Sequence, residues 1–189
     1  APKAIREIAG TPMLVYAVKA LAASPVVDVV VVAAPSDYRE DVGSLLQPQE
    51  FSAEVFVVAG GESRSESVAR ALIALPDDVD VVLVHDAARP LVPPEVITNV
   101  VAAVRDGHAA VVPVVPLVDT IRTVSGDASL GATVSRDSLR AVQTPQGFTR
   151  DVLQRAHAEV DVPITDDAGM VERLGIGVHA VDGHEDAFK

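Results

Sequence analysis

The chain contains 189 residues, of which 27 are acidic and 15 are basic, giving a formal net charge of −12. Such a surface repels nucleic acid and anionic membranes, so neither is expected as a partner. The absence of cysteine excludes a disulfide framework and a thiol nucleophile, and it is compatible with the cytoplasmic location that we expect. No apolar stretch is long enough to span a bilayer, and no signal-peptide pattern is present.

Helical and strand-like segments alternate from the first helix to about residue 115. Thr11 is predicted to cap that helix with Pro12 at its first position, because Leu14 and later apolar residues recur at helical spacing. Ser36 is predicted to cap the second helix in the same way. The further predicted helices lie at residues 36–46, 63–75 and 93–105, and the predicted strands lie at residues 26–34, 54–58, 81–84 and 109–115. This order predicts right-handed crossovers and a doubly wound, mostly parallel, Rossmann-like α/β sheet.

A hairpin-like segment then interrupts the α/β pattern. Residues 119–124 alternate polar and apolar side chains, Ser125-Gly126-Asp127 turns the chain, and residues 132–136 alternate back. An isolated two-stranded hairpin is barely stable in water, so this arm, at about residues 117–138, is expected to pack on a second copy of the chain. The later elements are predicted at residues 142–146, 149–160, 165–174 and 177–181, so we expect residues 1–189 to form one domain with an arm.

The most informative strand comprises residues 81–84, an apolar run typical of a strand that is buried on both faces of a parallel sheet. It stops at His85, Asp86 and Arg89. Polar groups at the carboxyl end of a buried strand lie where open α/β sheets bind their ligands, which favours a functional site here. The alternative is a surface loop in which Asp86 and Arg89 pair only with each other.

A second candidate site is Gly60-Gly61-Glu62, between a predicted strand and a predicted helix. Glycine lets the backbone approach a ligand closely, and the first N–H groups of the helix, at residues 63–67, suit an anion or a nucleobase edge. The alternative is an ordinary glycine turn in which Ser63 caps the helix.

Other polar residues have a structural explanation as well as a functional one. Lys3 and Lys189 fit solvated chain ends, and Arg136 fits an edge charge that discourages aggregation. Asp166 and Asp167 are predicted to cap a helix. The five histidines lack metal-binding spacing, so no zinc site is predicted, and no Gly-x-Ser-x-Gly nucleophile elbow is present.

Several short motifs combine into a family pattern. They are, in chain order, Pro2-Lys3, Ala59-Gly60-Gly61 with Arg64 and Ser67, Val84-His85-Asp86-Ala87-Ala88-Arg89-Pro90, Asp119-Thr120, Arg136, Thr144-Pro145-Gln146 with Phe148, Thr165-Asp166, and Asp186 with Lys189. With them the chain resembles the methylerythritol phosphate cytidylyltransferases, the IspD family of isoprenoid precursor synthesis, over nearly its whole length. The His-Asp-Ala-Ala-Arg-Pro and Thr-Pro-Gln motifs are shared with the related ribitol phosphate cytidylyltransferases.

The resemblance implies transfer of CMP from CTP to 2-C-methyl-D-erythritol 4-phosphate, with release of diphosphate. Two polyanions must meet in this reaction, so positioning and electrostatic stabilisation supply most of the rate, and Mg²⁺ is the implied cofactor. By resemblance, Lys3 stabilises the transition state together with an arginine of a glycine-rich loop. Lys189 and Arg136 resemble the residues that aim the attacking phosphate.

The resemblance also implies the residues that bind the substrates. Gly61, Glu62 and Ser67 resemble the segment that reads the cytosine. Asp86 resembles the residue that contacts the nucleotide, the sugar and the metal, and Asp186 is a second candidate metal ligand. The implied sugar-phosphate pocket contains Asp86, Ala87, Arg89, Thr120, Arg136 and Lys189. The arm is implied to embrace a second subunit, so that a homodimer completes each site.

The sequence departs from the family pattern in three places. The glycine-rich loop, Ala-Ala-Gly-x-Gly-x-Arg, is expected before Pro2 and the final strand and helix after Lys189, and neither is in the sequence. An asparagine is expected where the chain has Asp186-Ala187-Phe188. The alternatives are a ribitol 5-phosphate cytidylyltransferase and a non-catalytic nucleotide-sugar binding domain. A Rossmann dehydrogenase is disfavoured because no Gly-x-Gly-x-x-Gly follows a strand.

Overall fold

The computed structural model describes residues 2–126, 128–160 and 164–189, so Asp127 of the predicted turn lies outside the described part. The strands are β1 (Glu7–Ile8), β2 (Thr11–Pro12), β3 (Val29–Ala34), β4 (Glu54–Ala59), β5 (Val81–Val84), β6 (Ala110–Pro116), β7 (Ile121–Val124), β8 (Leu130–Val134), β9 (Arg140–Val142), β10 (Gln146–Thr149) and β11 (His179–Asp182). The α-helices are α1 (Met13–Ala22), α2 (Arg39–Leu46), α3 (Arg64–Ile73), α4 (Pro94–Arg105), α5 (Arg150–Glu159) and α6 (Asp167–Arg173). Within these ranges no helix is both long enough and apolar enough to cross a bilayer.

The central sheet has the strand order β11-β6-β10-β5, and β9 also pairs with β6. β5, β6 and β11 run in one direction, whereas β10 is antiparallel to both of its neighbours. The α/β class is therefore confirmed, but the sheet is mixed, and the paired neighbour of β5 is antiparallel rather than parallel. The opposite direction of β10 follows from the path of the chain. After the arm, the chain runs back antiparallel to β6, first as β9 and then as β10.

Helices cover both faces of this sheet, as the doubly wound prediction requires. Val82 and Val84 pack with Phe148 and with residues of α3, α5 and α6 on one face. Val81 and Leu83 pack against α4 on the other face. This division follows from the strand itself, since successive side chains of a strand point to opposite faces.

A large cavity separates β5 from β3. β3 and β4 form a parallel pair that packs on α1 and α2. In the described part of the chain, β3 pairs only with β4, and β5 pairs only with β10, so each strand has one unpaired edge. A cavity of about 960 Å³ lies between the two strands, and residues along the whole length of both strands line it.

The predicted hairpin arm is present as β7 and β8, which form their own antiparallel two-stranded sheet. β8 ends at Val134, so Arg136 follows the return strand instead of lying on it as predicted. Val118, Val124 and Leu130 expose 82%, 69% and 62% of their surface, so three apolar side chains of the arm lie largely open to solvent.

The helix starts differ from the sequence prediction in two places. Thr11 pairs with Ile8 in a strand, so Pro12 and not Thr11 occupies the N-cap position of α1. Ser36 begins a 3-10 helix, Ser36–Tyr38, and does not cap α2. The Ser63 cap is confirmed, because its side chain accepts the N–H of Glu66 at 3.1 Å.

Candidate functional site

Asp86 is the centre of a charged cluster at the carboxyl end of β5. Its Oδ2 accepts a hydrogen bond from Lys189 Nζ at 2.9 Å, and its Oδ1 accepts one from Arg64 Nε at 3.4 Å. Arg89 Nε lies 3.9 Å from Oδ2. Burial alone would raise the pKa of Asp86, but the Lys189 bond and the Arg64 charge outweigh it, so the pKa lies below its usual value. Asp86 is therefore an anion surrounded by cations.

The connection between β9 and β10 fixes the backbone of Asp86. Gln146 pairs with Val84, so Thr144 lies beside the residues that follow β5. The N–H of Asp86 donates to Thr144 Oγ1 at 3.0 Å, and the same oxygen lies 3.0 Å from His85 Nδ1. Burial lowers the pKa of His85 to about 4, so its imidazole is neutral at pH 7. His85 Nε2 lies 3.0 Å from the Arg89 carbonyl and must donate there, which leaves Nδ1 to accept from the Thr144 hydroxyl.

Arg89 holds the carboxyl-terminal turn in place. Its Nη1 donates to the carbonyl of Ala187 at 2.6 Å, and its Nη2 donates to the carbonyl of Val142 at 3.3 Å. Ala187 is fully buried, and Lys189 follows it by two residues. The alternative in which Asp86 and Arg89 pair only with each other is therefore wrong, because the Arg89 contact is the longest of the three made by Asp86.

Arg64 joins Asp86 to a buried carboxylate that the sequence did not reveal. Its Nη1 donates to Asp167 Oδ2 at 2.6 Å, and Asp167 is fully buried. His157 Nε2 lies 2.9 Å from the other oxygen of Asp167. Burial would raise the pKa of Asp167, but the hydrogen bond with His157 and the charge of Arg64 outweigh it and lower the pKa. Asp166 caps α6 as predicted, with Oδ1 accepting the N–H of Gly169 at 3.0 Å, whereas Asp167 serves as the buried partner of Arg64.

The glycine segment is bonded to the first turns of α3. The N–H of Gly61 donates to Ser67 Oγ at 3.0 Å, and the N–H of Glu62 donates to Glu66 Oε2 at 2.9 Å. Arg70 Nη1 donates to the Gly60 carbonyl at 2.7 Å. The loop is thus held by helix side chains, and a smaller cavity of about 290 Å³ lies between it and the turn after β3.

The family model described as IspD, 2-C-methyl-D-erythritol 4-phosphate cytidylyltransferase, matches residues 1–189. The chain belongs to this family. Two curated relatives carry the same name: one from Frankia casuarinae is 54% identical over all of this chain and 69% of the relative, and one from Streptomyces avermitilis is 55% identical over all of this chain and 79% of the relative. Members of this family are nucleotidyltransferases, which confirms the predicted enzyme class.

Solved structures of IspD proteins share the fold. The 2-C-methyl-D-erythritol 4-phosphate cytidylyltransferase of Thermus thermophilus is 34% identical, with a TM-score of 0.81, over all of this chain and 86% of its own. The 4-diphosphocytidyl-2C-methyl-D-erythritol synthase of Anaerococcus prevotii is 23% identical with a TM-score of 0.88, again over all of this chain and 86% of its own, which shows likeness of fold alone.

The contacts within one copy of this IspD chain join only part of the predicted site. Asp86, Arg89 and Lys189 form one cluster, and Gly61, Glu62 and Ser67 lie around the glycine loop. Thr120 and Arg136 lie exposed at the base of the arm, where Arg136 Nη1 donates to the carbonyl of Val118. In the described part of the chain, neither of them hydrogen bonds to the Asp86 cluster.

Lys3 and Ala87 lie beside the large cavity of this IspD chain. Lys3 is exposed on a 3-10 helix, Lys3–Ile5, and the following Ala4 and Ile5 line that cavity together with Arg64, Asp86 and Ala87. The side chain of Asp186 is 66% exposed and lies 3.7 Å from His184 Nδ1, within its own turn. Across residues 2–126, 128–160 and 164–189, no three His, Asp or Glu side chains form a group that could hold a metal ion.

Proposed function

We propose that this IspD chain transfers CMP from CTP to 2-C-methyl-D-erythritol 4-phosphate and releases diphosphate. The observation that carries the proposal is the convergence of Lys189, Arg64 and Arg89 on Asp86 at the end of β5, in a protein of net charge −12. A phosphate oxygen of the sugar forms a bond to the α-phosphorus of CTP, and the bond from that phosphorus to diphosphate breaks. The nucleophile is already an anion, so no proton has to be removed.

Lys189 is the residue that we propose to meet the attacking phosphate. Its ammonium has three N–H donors, one bonds to Asp86, and its side chain is 59% exposed, so the remaining donors are accessible to a phosphate. Preorganised cations of this kind stabilise the charge that develops at a crowded phosphorus. Lys3, exposed beside the large cavity that Asp86 also lines, is proposed to stabilise the transition state.

The glycine loop is proposed to bind the cytosine. The cavity beside it is lined by Gly61, Glu62 and residues 35–38, which gives space for a planar ring next to backbone atoms. The hydroxyl of Ser67 accepts the N–H of Gly61 and donates to the carbonyl of Ser63 at 2.9 Å, so it fixes the shape of the loop. We propose that Gly61, Glu62 and Ser67 form this part of the nucleotide site.

A divalent cation, Mg²⁺, is the proposed cofactor, and Asp86 is the residue that would hold it. Asp86 fits this role, because Mg²⁺ is commonly held by one or two carboxylates together with phosphate oxygens and water. When bound, the ion would neutralise part of the phosphate charge. Asp186, exposed in its own turn, is the weaker of the two predicted ligands.

A second subunit is proposed to complete the site. The arm presents Val118, Val124 and Leu130 to solvent, and an exposed apolar patch of this kind is typical of an interface. Thr120 and Arg136 at the base of the arm would then reach the sugar phosphate bound by the partner. Ala87 and Arg89 are proposed to complete the same pocket from the first subunit.

The cavity between β3 and β5 is proposed to hold a further β-strand. Its walls are the unpaired edges of two strands and the apolar side chains around them, such as Val30, Val32 and Val82, and backbone groups at such edges require partners. The helix Lys3–Ile5 lies at this cavity, so the segment that precedes it in the full-length protein is the proposed source. A strand there would deliver the glycine-rich phosphate loop directly to Asp86.

The test of the proposed function is diphosphate release by the full-length protein mixed with CTP, Mg²⁺ and 2-C-methyl-D-erythritol 4-phosphate. We expect rapid release, and much slower release when ribitol 5-phosphate replaces the methylerythritol phosphate. Equal or faster turnover of ribitol 5-phosphate would favour a ribitol 5-phosphate cytidylyltransferase. Binding of CTP with no diphosphate release, whichever sugar phosphate is added, would favour a non-catalytic binding domain. We propose a cytoplasmic location, where CTP, the nucleotide of the proposed reaction, is present.

A further inference from the structure

Arg64 bridges two carboxylates that lie in different surroundings. Asp167 belongs to α6 and is fully buried, whereas Asp86 follows β5 and faces the proposed site. The guanidinium reaches the two carboxylates with different nitrogens, Nη1 at 2.6 Å from Asp167 and Nε at 3.4 Å from Asp86. Arginine suits such a bridge because its donors are fixed in one rigid plane.

The buried end of this bridge is the fixed one. Both oxygens of Asp167 are engaged, Oδ2 by Arg64 and Oδ1 by His157 at 2.9 Å. The ring of His157 is itself buried, and its Nδ1 lies 3.4 Å from the hydroxyl of Ser65. The shorter bond at Asp167 shows that Arg64 is anchored there. This anchor determines how the Arg64 guanidinium is oriented toward Asp86.

We propose that Asp167 is a positioning residue for the transfer reaction. Acting through Arg64, it orients the carboxylate of Asp86, and that carboxylate in turn presents the ammonium of Lys189 at 2.9 Å. Asp167 does not touch the substrates, since its side chain has no exposed surface. The inference rests on the proposed function for its kinetic consequence, but the geometry that it assigns can be measured separately.

A purely structural role is the competing explanation. The Arg64–Asp167 pair neutralises a buried carboxylate, and removal of Arg64 leaves the charge of Asp167 buried without its arginine, which destabilises the fold. Loss of activity in a single variant would therefore not distinguish positioning from unfolding. The variants must separate the stability of the fold from the orientation of Asp86.

The kinetic test uses Arg64→Lys, Arg64→Ala and the double variant Arg64→Ala/Asp167→Asn of the full-length protein. A lysine keeps a cation near Asp167 but cannot bridge both carboxylates, so Arg64→Lys is expected to keep its melting temperature and lose at least about tenfold in kcat. The double variant is expected to melt higher than Arg64→Ala and to remain equally slow. KM for CTP is expected to change less than kcat in the variants.

Arg155→Ala is the matched control, because Arg155 forms an exposed pair with Glu159 on α5, and its kcat is expected to equal that of the wild type. Two results would overturn the positioning role. In one, the double variant recovers both its kcat and its melting temperature; in the other, Arg64→Lys is fully active.

A crystal structure of Asp167→Asn tests the geometry without any assay. We expect the Asp86 carboxylate to turn and its contact with Lys189 to be lost. If the Asp86 carboxylate and the Lys189 ammonium keep their wild-type positions, the inference is wrong, whether or not the protein is active. If the wild-type protein releases no diphosphate, the proposed function fails, and this structure still decides whether Asp167 sets the position of Asp86.

Discussion

Thr144 Oγ1 accepts the backbone N–H of Asp86 at 3.0 Å, so the connection between β9 and β10 fixes the backbone of Asp86 at the end of β5. The same hydroxyl donates to His85 Nδ1, also at 3.0 Å. One buried side chain therefore satisfies two groups of the segment that carries the proposed site, and its loss should affect both stability and turnover.

Thr144→Val keeps the size of the side chain but removes this hydroxyl. A part-buried N–H and a ring nitrogen lose their partners, so the free energy of unfolding is expected to fall by about 1–3 kcal/mol, with a lower kcat. Urea unfolding and diphosphate release measure the two effects. Thr98→Val is the control, because Thr98 bonds only to carbonyls of its own helix. Equal stability of both variants would show that the Thr144 bonds contribute nothing.

His85 makes the stability of the protein dependent on pH. Burial lowers the pKa of His85 in the folded state to about 4, below its ordinary value of 6.5. As the pH falls, the unfolded chain therefore takes up a proton at His85 before the folded chain does. The stabilisation of the fold by neutral His85 is fully present above pH 6.5 and is lost as the pH falls toward 4. Urea unfolding between pH 7 and pH 4.5 should show this decrease, and His85→Gln should reduce it. An identical pH dependence in both proteins would contradict the assignment.

Gly61→Ala should impair nucleotide binding without unfolding the protein. A Cβ at this position would overlap the side chain of Glu66, so Glu66 must move and release the N–H of Glu62. KM for CTP is expected to rise about tenfold, equivalent to about 1.4 kcal/mol. Gly43→Ala is the control, because a Cβ at Gly43 meets nothing within 4 Å. An unchanged KM in Gly61→Ala would remove the glycine loop from the proposed site.

Arg136→Ala tests the contribution of the arm. We expect KM for the sugar phosphate to rise and kcat to fall about tenfold, with CTP affinity near that of the wild type. Arg122→Ala is a control from the same arm, since Arg122 donates to the carbonyl of Gly131 within the hairpin. A collapse of CTP affinity in Arg136→Ala would instead assign Arg136 to the nucleotide.

The sequence predicted the order of elements well because apolar periodicity reports local structure. β4, β5 and the arm follow directly from it. The direction of β10 could not be predicted in this way, because it depends on how the chain returns after the arm. The N-cap of α1 was predicted wrongly because Thr11 pairs with Ile8, a contact that competes with capping and leaves no local signal.

The candidate site was predictable where family motifs mark it, and less so where distant residues meet. Asp86 and Lys189 were both selected from the sequence, and the structure brings them together although 103 positions separate them. The partnership of Arg64 with Asp167 spans the same separation, and Asp167 looked like an ordinary cap beside Asp166. The identity of a buried ion pair depends on tertiary packing, so periodicity and spacing cannot reveal it.

The two bonds that Arg89 donates to the carbonyls of Ala187 and Val142 have a consequence for how this protein can evolve. One guanidinium holds the loop after β5, the end of β9 and the turn before Lys189 together. Substitutions in these three segments should therefore be non-additive in double-mutant cycles. A homologue that replaced this arginine would need compensating changes in all three segments to keep the lysine equivalent to Lys189 in place.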